Sequence, residues 1–199
     1  MERTVQALAG VLDLAREMSD QVDRVDLALP PLRRLLASAG VAFRLVGGVA
    51  VVHHGYVRTT RDVDVLLDPE GAARLDPLLA EHGFERVSAN RLRHRATGVD
   101  VDLLVSGEPM PRPGSPPYPS PESLPGSPAD PEVVGLPGLL QLKLHSARRQ
   151  DLADVVALLK PLDDGEYLRV EATLPADLRP QLAELRRDAI DERSWELAT

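Results

Sequence analysis

The chain has 199 residues, a formal net charge of −8, and a composition that is 43% hydrophobic but only 3% aromatic, so its core is built from Leu, Val and Ala. Cysteine is absent, which excludes a disulfide framework and any thiolate metal site. The acidic balance argues against non-specific coating of nucleic acid, and no apolar run approaches the ~20 residues that span a bilayer. Met1 to Gly10 is neither basic nor continuously apolar, so no signal peptide is expected and the chain reads as cytoplasmic, with no membrane partner.

In chain order, Leu8, Val11, Leu12 and Leu14 give residues Val5 to Leu29 a helical period, with Ser19 or Asp20 as a possible cap for a second turn of helix. Pro31 suits a first helical position, and Leu32 to Ser38 reads as a separate short helix ended by Gly40. Val41 to Val46 is a buried strand that runs into Gly47-Gly48, and Val49 to His54 is a helix leaving them. Asp62 to Leu67 alternates as a second strand, and Glu70 to His82 is a helix stopped by Gly83. Phe84 to Ser88, Arg91 to Arg95 and Val99 to Val105 are three more strands, the last two joined at Thr97-Gly98.

Gly107 to Pro137 holds eleven of the 18 prolines, interleaved with Gly and Ser. No packed element fits that composition, so an extended connection over the surface is expected. Both its ends are tied to chemistry-bearing elements, so it is either a semi-rigid flap bordering the acceptor side of a cleft or a plain spacer. Leu139 to Leu159 returns to helical periodicity, with a possible break near Asp151, and Arg179 to Trp195 is a charged amphipathic helix. The resulting organisation is N-terminal helices (1–40), a core (41–106), the proline-rich loop (107–137) and a C-terminal helical region (138–199).

The chemistry concentrates in LVGGVAVVHHGYVRTTRDVDVLL. Residues two apart on a strand share a face, so Asp62 and Asp64 project together while Val63 and Val65 face the core. Paired carboxylates hold a cation or share a proton, and oxygen ligands without His or Cys suit Mg2+ or Mn2+. Gly47 and Gly48 let backbone N–H groups approach a triphosphate. VDVDLLV supplies a third carboxylate from the same strand face, Asp100 or Asp102. Asp102 is favoured by the apolar run Leu103-Leu104-Val105 behind it, with Asp100 as the fallback. A lone DxD is commonly a solvated strand edge; the ordered conjunction with Gly-Gly carries the signal.

The pattern Gly47, Gly48, Ala50, His54, Gly55, Arg58, Thr60, Asp62, Asp64 resembles the polymerase β-like nucleotidyltransferases, and is most similar to the AbiEii/MenT-type toxins and their bacterial relatives. The later stretch Leu140 to Lys143, then Arg149-Gln-Asp151-Leu-Ala-Asp154, is similar to that family's lysine-bearing helix and Arg/Asp-rich turn, so the resemblance runs from about Val41 to Leu159. It implies an α+β nucleotidyltransferase fold, a mixed sheet backed by helices with a C-terminal helical region. It also implies Asp62, Asp64 and Asp102 as catalytic metal ligands, and Gly47, Gly48, Arg58, Thr60 and Lys143 around a nucleoside triphosphate. The reaction so implied is attack of an acceptor hydroxyl on the α-phosphorus, with Asp102 helping to deprotonate the acceptor and pyrophosphate leaving. The toxin-type relatives imply RNA as acceptor, chiefly the 3′ end of tRNA, and a cognate antitoxin; a small molecule or a protein hydroxyl is the alternative. A silent fold used as a binding module is the rival of another class.

Only Lys143 and Lys160 among 23 basic residues are lysines, which gives Lys143 more weight than a solvated helix face would. Arg58 and Arg61 either touch phosphates or neutralise the aspartates. His53 and His54 read as structural, Asp151 as a helix cap, and Asp154 as a residue reaching only a distal part of the site on a continuous helix.

Overall fold

The computed structural model describes residues 24–198, so the helical stretch expected before residue 24, with its caps Ser19 and Asp20, lies outside the described residues. The fold is α+β. Helix α1 covers residues 24–38 and runs straight through Pro30-Pro31, where a separate second helix was expected. The reason is packing: Val25, Ala28, Leu32, Leu35 and Leu36 keep one buried stripe across the prolines, and that stripe outweighs the two hydrogen bonds the imides cannot make.

Strands β1 (Phe43–Val46), β2 (Asp62–Leu67), β3 (Phe84–Ser88), β4 (Arg91–His94) and β5 (Asp100–Val105) form one mixed sheet in the order β1-β2-β5-β4-β3. β1 meets β2 antiparallel, β2 meets β5 in parallel, and β4 pairs antiparallel with both β5 and β3. Val63, Val65 and Leu67 on β2 and Val101, Leu103 and Val105 on β5 form the apolar face. Helix α2 (Gly47–His53) leaves β1 directly, and α3 (Pro69–Leu75) follows β2 with a 3-10 turn, Asp76–Leu78, in place of the longer helix to His82. Pro77 explains the shortening through its missing N–H, which cannot continue the helical hydrogen-bond ladder, while Asp76 before it stays helical (φ −52°, ψ −47°).

The proline-rich connection is packed, not merely laid over the surface. Leu45 N–H donates to the Glu132 carbonyl (2.8 Å) and Val134 N–H to the Leu45 carbonyl (3.0 Å), so residues 132–134 line the outer edge of β1. Met110, Leu124, Val133 and Val134 are buried. Prolines punctuate this strap at positions that need no donor, and the valines between them supply the donors and the apolar surface. Arg33 on α1 clamps it from the other side, through Asp130 (2.6 Å) and Glu132.

The C-terminal region comprises α4 (Leu136–Ser146), α5 (Arg149–Leu159), α6 (Asp164–Thr173) and α7 (Arg179–Ala198). The break between α4 and α5 falls at Ala147, in the left-handed conformation (φ 47°), ahead of the expected break near Asp151. Helix α5 therefore folds back beside α4, and this reversal builds the charged part of the site. Among the described residues no helix is long and apolar enough to cross a membrane.

Candidate active site

The site begins where β1 ends. Gly47 has φ +57°, a conformation that L side chains avoid, and a Cβ there would lie 1.7 Å from Asp64 Oδ2. The residue must be glycine on both counts, because the Asp64 carboxylate sits directly over its backbone. Gly48 makes room for a different neighbour: its missing Cβ would meet Thr60 Oγ1 at 2.3 Å. Thr60 is itself buried, and its hydroxyl donates to the Asp62 carbonyl (3.2 Å), so it anchors the start of β2 from inside rather than facing the cleft.

Register does the remaining assembly. Asp64 lies opposite Val46 on one side and Asp102 on the other, and Asp102 lies opposite Arg91. The adjacent row is Asp62, Asp100, Arg93. Four carboxylates thus share one sheet face within two cross-strand rows, at a strand spacing of about 4.8 Å. Burial raises the Asp64 carboxyl to about 6, with further upward pressure from Asp62 and Asp102, against the partial relief of Lys143 and Arg148. A carboxylate destabilised first by burial and then by neighbouring carboxylates is in the electrostatic setting that a cation relieves.

Asp102 is on the expected sheet face, but its carboxylate is held by Arg91, through Nε (2.6 Å) and a terminal nitrogen (3.0 Å). Arg93 holds Asp100 the same way (2.7 and 3.3 Å). Among the described residues no three acidic or histidine side chains are gathered in ion-holding geometry. Asp62, Asp64 and Asp102 share a sheet face without converging on one point.

Lys143 lines the same narrow cavity as Gly47 and Asp64, together with Met110, Tyr118 and Arg148. Its amine is turned to Asp154 (2.6 Å) and Asp151 (3.2 Å), and only 4% of the residue is exposed. Arg58, expected at phosphates, is drawn into this knot: a terminal nitrogen donates to Asp154 Oδ2 (3.1 Å), and Nε lies 2.9 Å from Oδ1 without hydrogen-bond alignment. Arg61 is exposed. Asp151 is no helix cap, since Arg148 occupies the N-cap of α5; it is buried and accepts from Lys143, Ser146 (2.7 Å) and Arg148 (2.7 Å). Those bonds hold its carboxyl below the usual range against the opposing effect of burial, the largest single influence. Asp154 is fully buried at the centre of the knot, not at a distal end, because the turn at Ala147 brings it back over Lys143.

His53 Nε2 contacts Ser127 Oγ (2.9 Å) and His54 Nε2 donates to the Val134 carbonyl (2.8 Å), so both histidines pin the strap. Sequence reasoning passed over Tyr118 and Arg148, which line the cavity beside Asp64. Burial and the Asp64 charge raise the Tyr118 phenol. Neither had a spacing signal, since Tyr118 lies within the proline-rich strap and Arg148 in a two-residue link. No family model matches the chain, and a search of curated proteins finds no similar one.

Proposed function

We propose that the chain is a metal-dependent nucleotidyltransferase of the polymerase β-like fold, moving a nucleoside monophosphate from a nucleoside triphosphate to an acceptor hydroxyl. The observation that carries this reading is the Asp64 carboxylate resting on the bare backbone of Gly47, with Asp62 two residues before it and Asp102 across the parallel strand. The donor set fits Mg2+ or Mn2+, being oxygen only, and the burial and carboxylate repulsion that together raise Asp64 are what a divalent cation offsets. Asp62, Asp64 and Asp102 would hold the ion, which, when bound, stabilises the charge of the attacking and leaving oxygens.

The chain's own residues do the rest. The Gly47-Gly48 turn, whose missing Cβ atoms make room for Asp64 and Thr60, would offer the backbone N–H groups at the start of α2 to the triphosphate beside Asp64. Lys143 and Arg148 add positive potential beside Asp64 without giving up their own carboxylate partners. Asp102 accepts the proton of the acceptor hydroxyl.

RNA, chiefly the 3′ end of tRNA, is the first-ranked acceptor class, as for a toxin kept in check by an antitoxin. The net charge of −8 favours a second reading, a small-molecule or protein hydroxyl. The test is incubation with Mn2+, each α-labelled triphosphate and total RNA. A labelled RNA species that disappears with Asp64→Asn is expected. Label in added protein or in a small-molecule fraction moves the acceptor to the second reading. Failure of all four triphosphates to release pyrophosphate with any acceptor would sink the proposal.

A further inference from the structure

Arg91 is a charged group, bonded directly to a proposed metal ligand, that the reaction as proposed leaves unused. It sits on β4 opposite Asp102, in the same cross-strand row as Asp64. Its guanidinium takes both oxygens of Asp102, at 2.6 and 3.0 Å, and a further nitrogen stands 3.8 Å from Asp100 Oδ2. A planar fork on a carboxylate takes one lone pair of each oxygen and sets a positive charge beside the place where the cation has to arrive. The side chain is 45% exposed, and Asp102 and Asp100 are its ion-pair partners. Such a pair is weak enough to be exchanged, and the long side chain can leave without disturbing the sheet.

Resting on the nucleotidyltransferase reading, we propose that Arg91 is the resting counterion of Asp102 and is exchanged for the metal. When a divalent cation takes Asp102, the guanidinium is released at the rim of the same row. It then accepts a new partner in the polyanion that enters with the cation, a phosphate oxygen of the triphosphate. Metal alone has to displace Arg91, whereas metal with triphosphate offers Arg91 a replacement. Arg91 thus couples the two binding steps and discourages occupancy by metal without nucleotide.

The next pair along the strand supplies an internal control. Arg93 holds Asp100 with almost the same geometry, and Asp100 is not in the proposed ligand set. Mn2+ binding to the whole chain without nucleotide is measured by the electron paramagnetic resonance of the free ion, for the parent, Arg91→Gln, Arg93→Gln and Asp64→Asn. Arg91→Gln is expected to bind Mn2+ roughly two- to fivefold tighter, the range set by an exposed ion pair. Arg93→Gln is expected to stay close to the parent. Calorimetry with inorganic tripolyphosphate at saturating Mn2+ supplies the opposite sign: Arg91→Gln is expected to bind it roughly five- to tenfold more weakly.

Unchanged Mn2+ affinity in Arg91→Gln, or unchanged tripolyphosphate affinity, overturns the exchange. Equal tightening by Arg93→Gln also overturns it, because bulk charge then accounts for the effect. Asp64→Asn reports separately on the reading beneath: if it binds Mn2+ as the parent does, the metal site is not where it has been placed, and the exchange falls with it.

Discussion

The ion pairs on the open sheet face and the charged knot between α4 and α5 are both built on aspartates and basic side chains, yet the carboxylates and the lysine of the knot are closed to water. Arg91 and Arg93 have side chains 45% and 43% exposed, and their aspartate partners are about a quarter exposed. In the knot, the Lys143 and Asp151 side chains are 5% exposed and Asp154 is fully buried. Solvent screens the sheet-face pairs, so each charge can change partner at little cost. In the knot a departing partner leaves an uncompensated charge in a low-dielectric interior. One set of charges is therefore exchangeable on the open sheet face, while the other is fixed, locks the turn between α4 and α5 and lines the cavity beside Asp64.

Lys143→Met separates the two most sharply. It strands Asp151 and Asp154, and should destabilise the fold by about 3 kcal/mol, toward the low end for a broken buried pair because Arg58 and Arg148 remain. Urea unfolding measures it, and a loss no larger than that of a surface substitution would erase the distinction between the two regions.

Asp64→Asn tests the strained carboxylate between them. Its folded pKa of about 6 lies above the ordinary 3.8. Below about pH 3 both folded and unfolded chains are protonated there, and the residue costs nothing. As pH rises toward 6 the unfolded chain loses its proton first, so the parent loses stability, and above 6 the deficit is constant. In metal-free buffer Asp64→Asn should therefore be more stable than the parent at pH 8, by about 1–3 kcal/mol, with the gap closing to near zero by about pH 3. A gap that does not depend on pH would mean that repulsion and burial do not act on this carboxylate.

Asp100→Asn, which removes an exposed partner outside the proposed ligand set, should move Tm by no more than about 2–4 °C. A larger fall in a thermal melt would place the sheet-face pairs with the knot.

The contrast also explains what the sequence made legible. DVDVLL and VDVDLLV announce β2 and β5, because alternation on a half-buried sheet is a local pattern that sets both the strand and its polar face. Gly47-Gly48 was readable for the same reason, although the partner that forces each glycine, Asp64 for one and Thr60 for the other, is a tertiary fact. The knot was not legible. Its geometry depends on Ala147 adopting a left-handed conformation, and Ser146-Ala147-Arg148 contains neither the Gly nor the Pro that marks such a turn. The strap misled through composition: eleven prolines outweighed Val133-Val134, whose pairing partner Leu45 lies far back in the chain. Helix α6 was overlooked even though Asp163 and Glu166 form a capping box, a spacing that local inspection can find.

The parallel pairing of β2 with β5 has a consequence for how the chain is made. Asp62 and Asp64 leave the ribosome well before Asp102, with α3 and the β3–β4 hairpin still to come between them. A parallel neighbour cannot be supplied by a tight turn, so β2 waits for a distant segment, and such non-local closures are slow. During that wait β2 presents one unsatisfied edge to the crowded interior of a translating cell. The two aspartates sit on that edge strand as like charges, which discourage a second nascent chain from adding its own strand there.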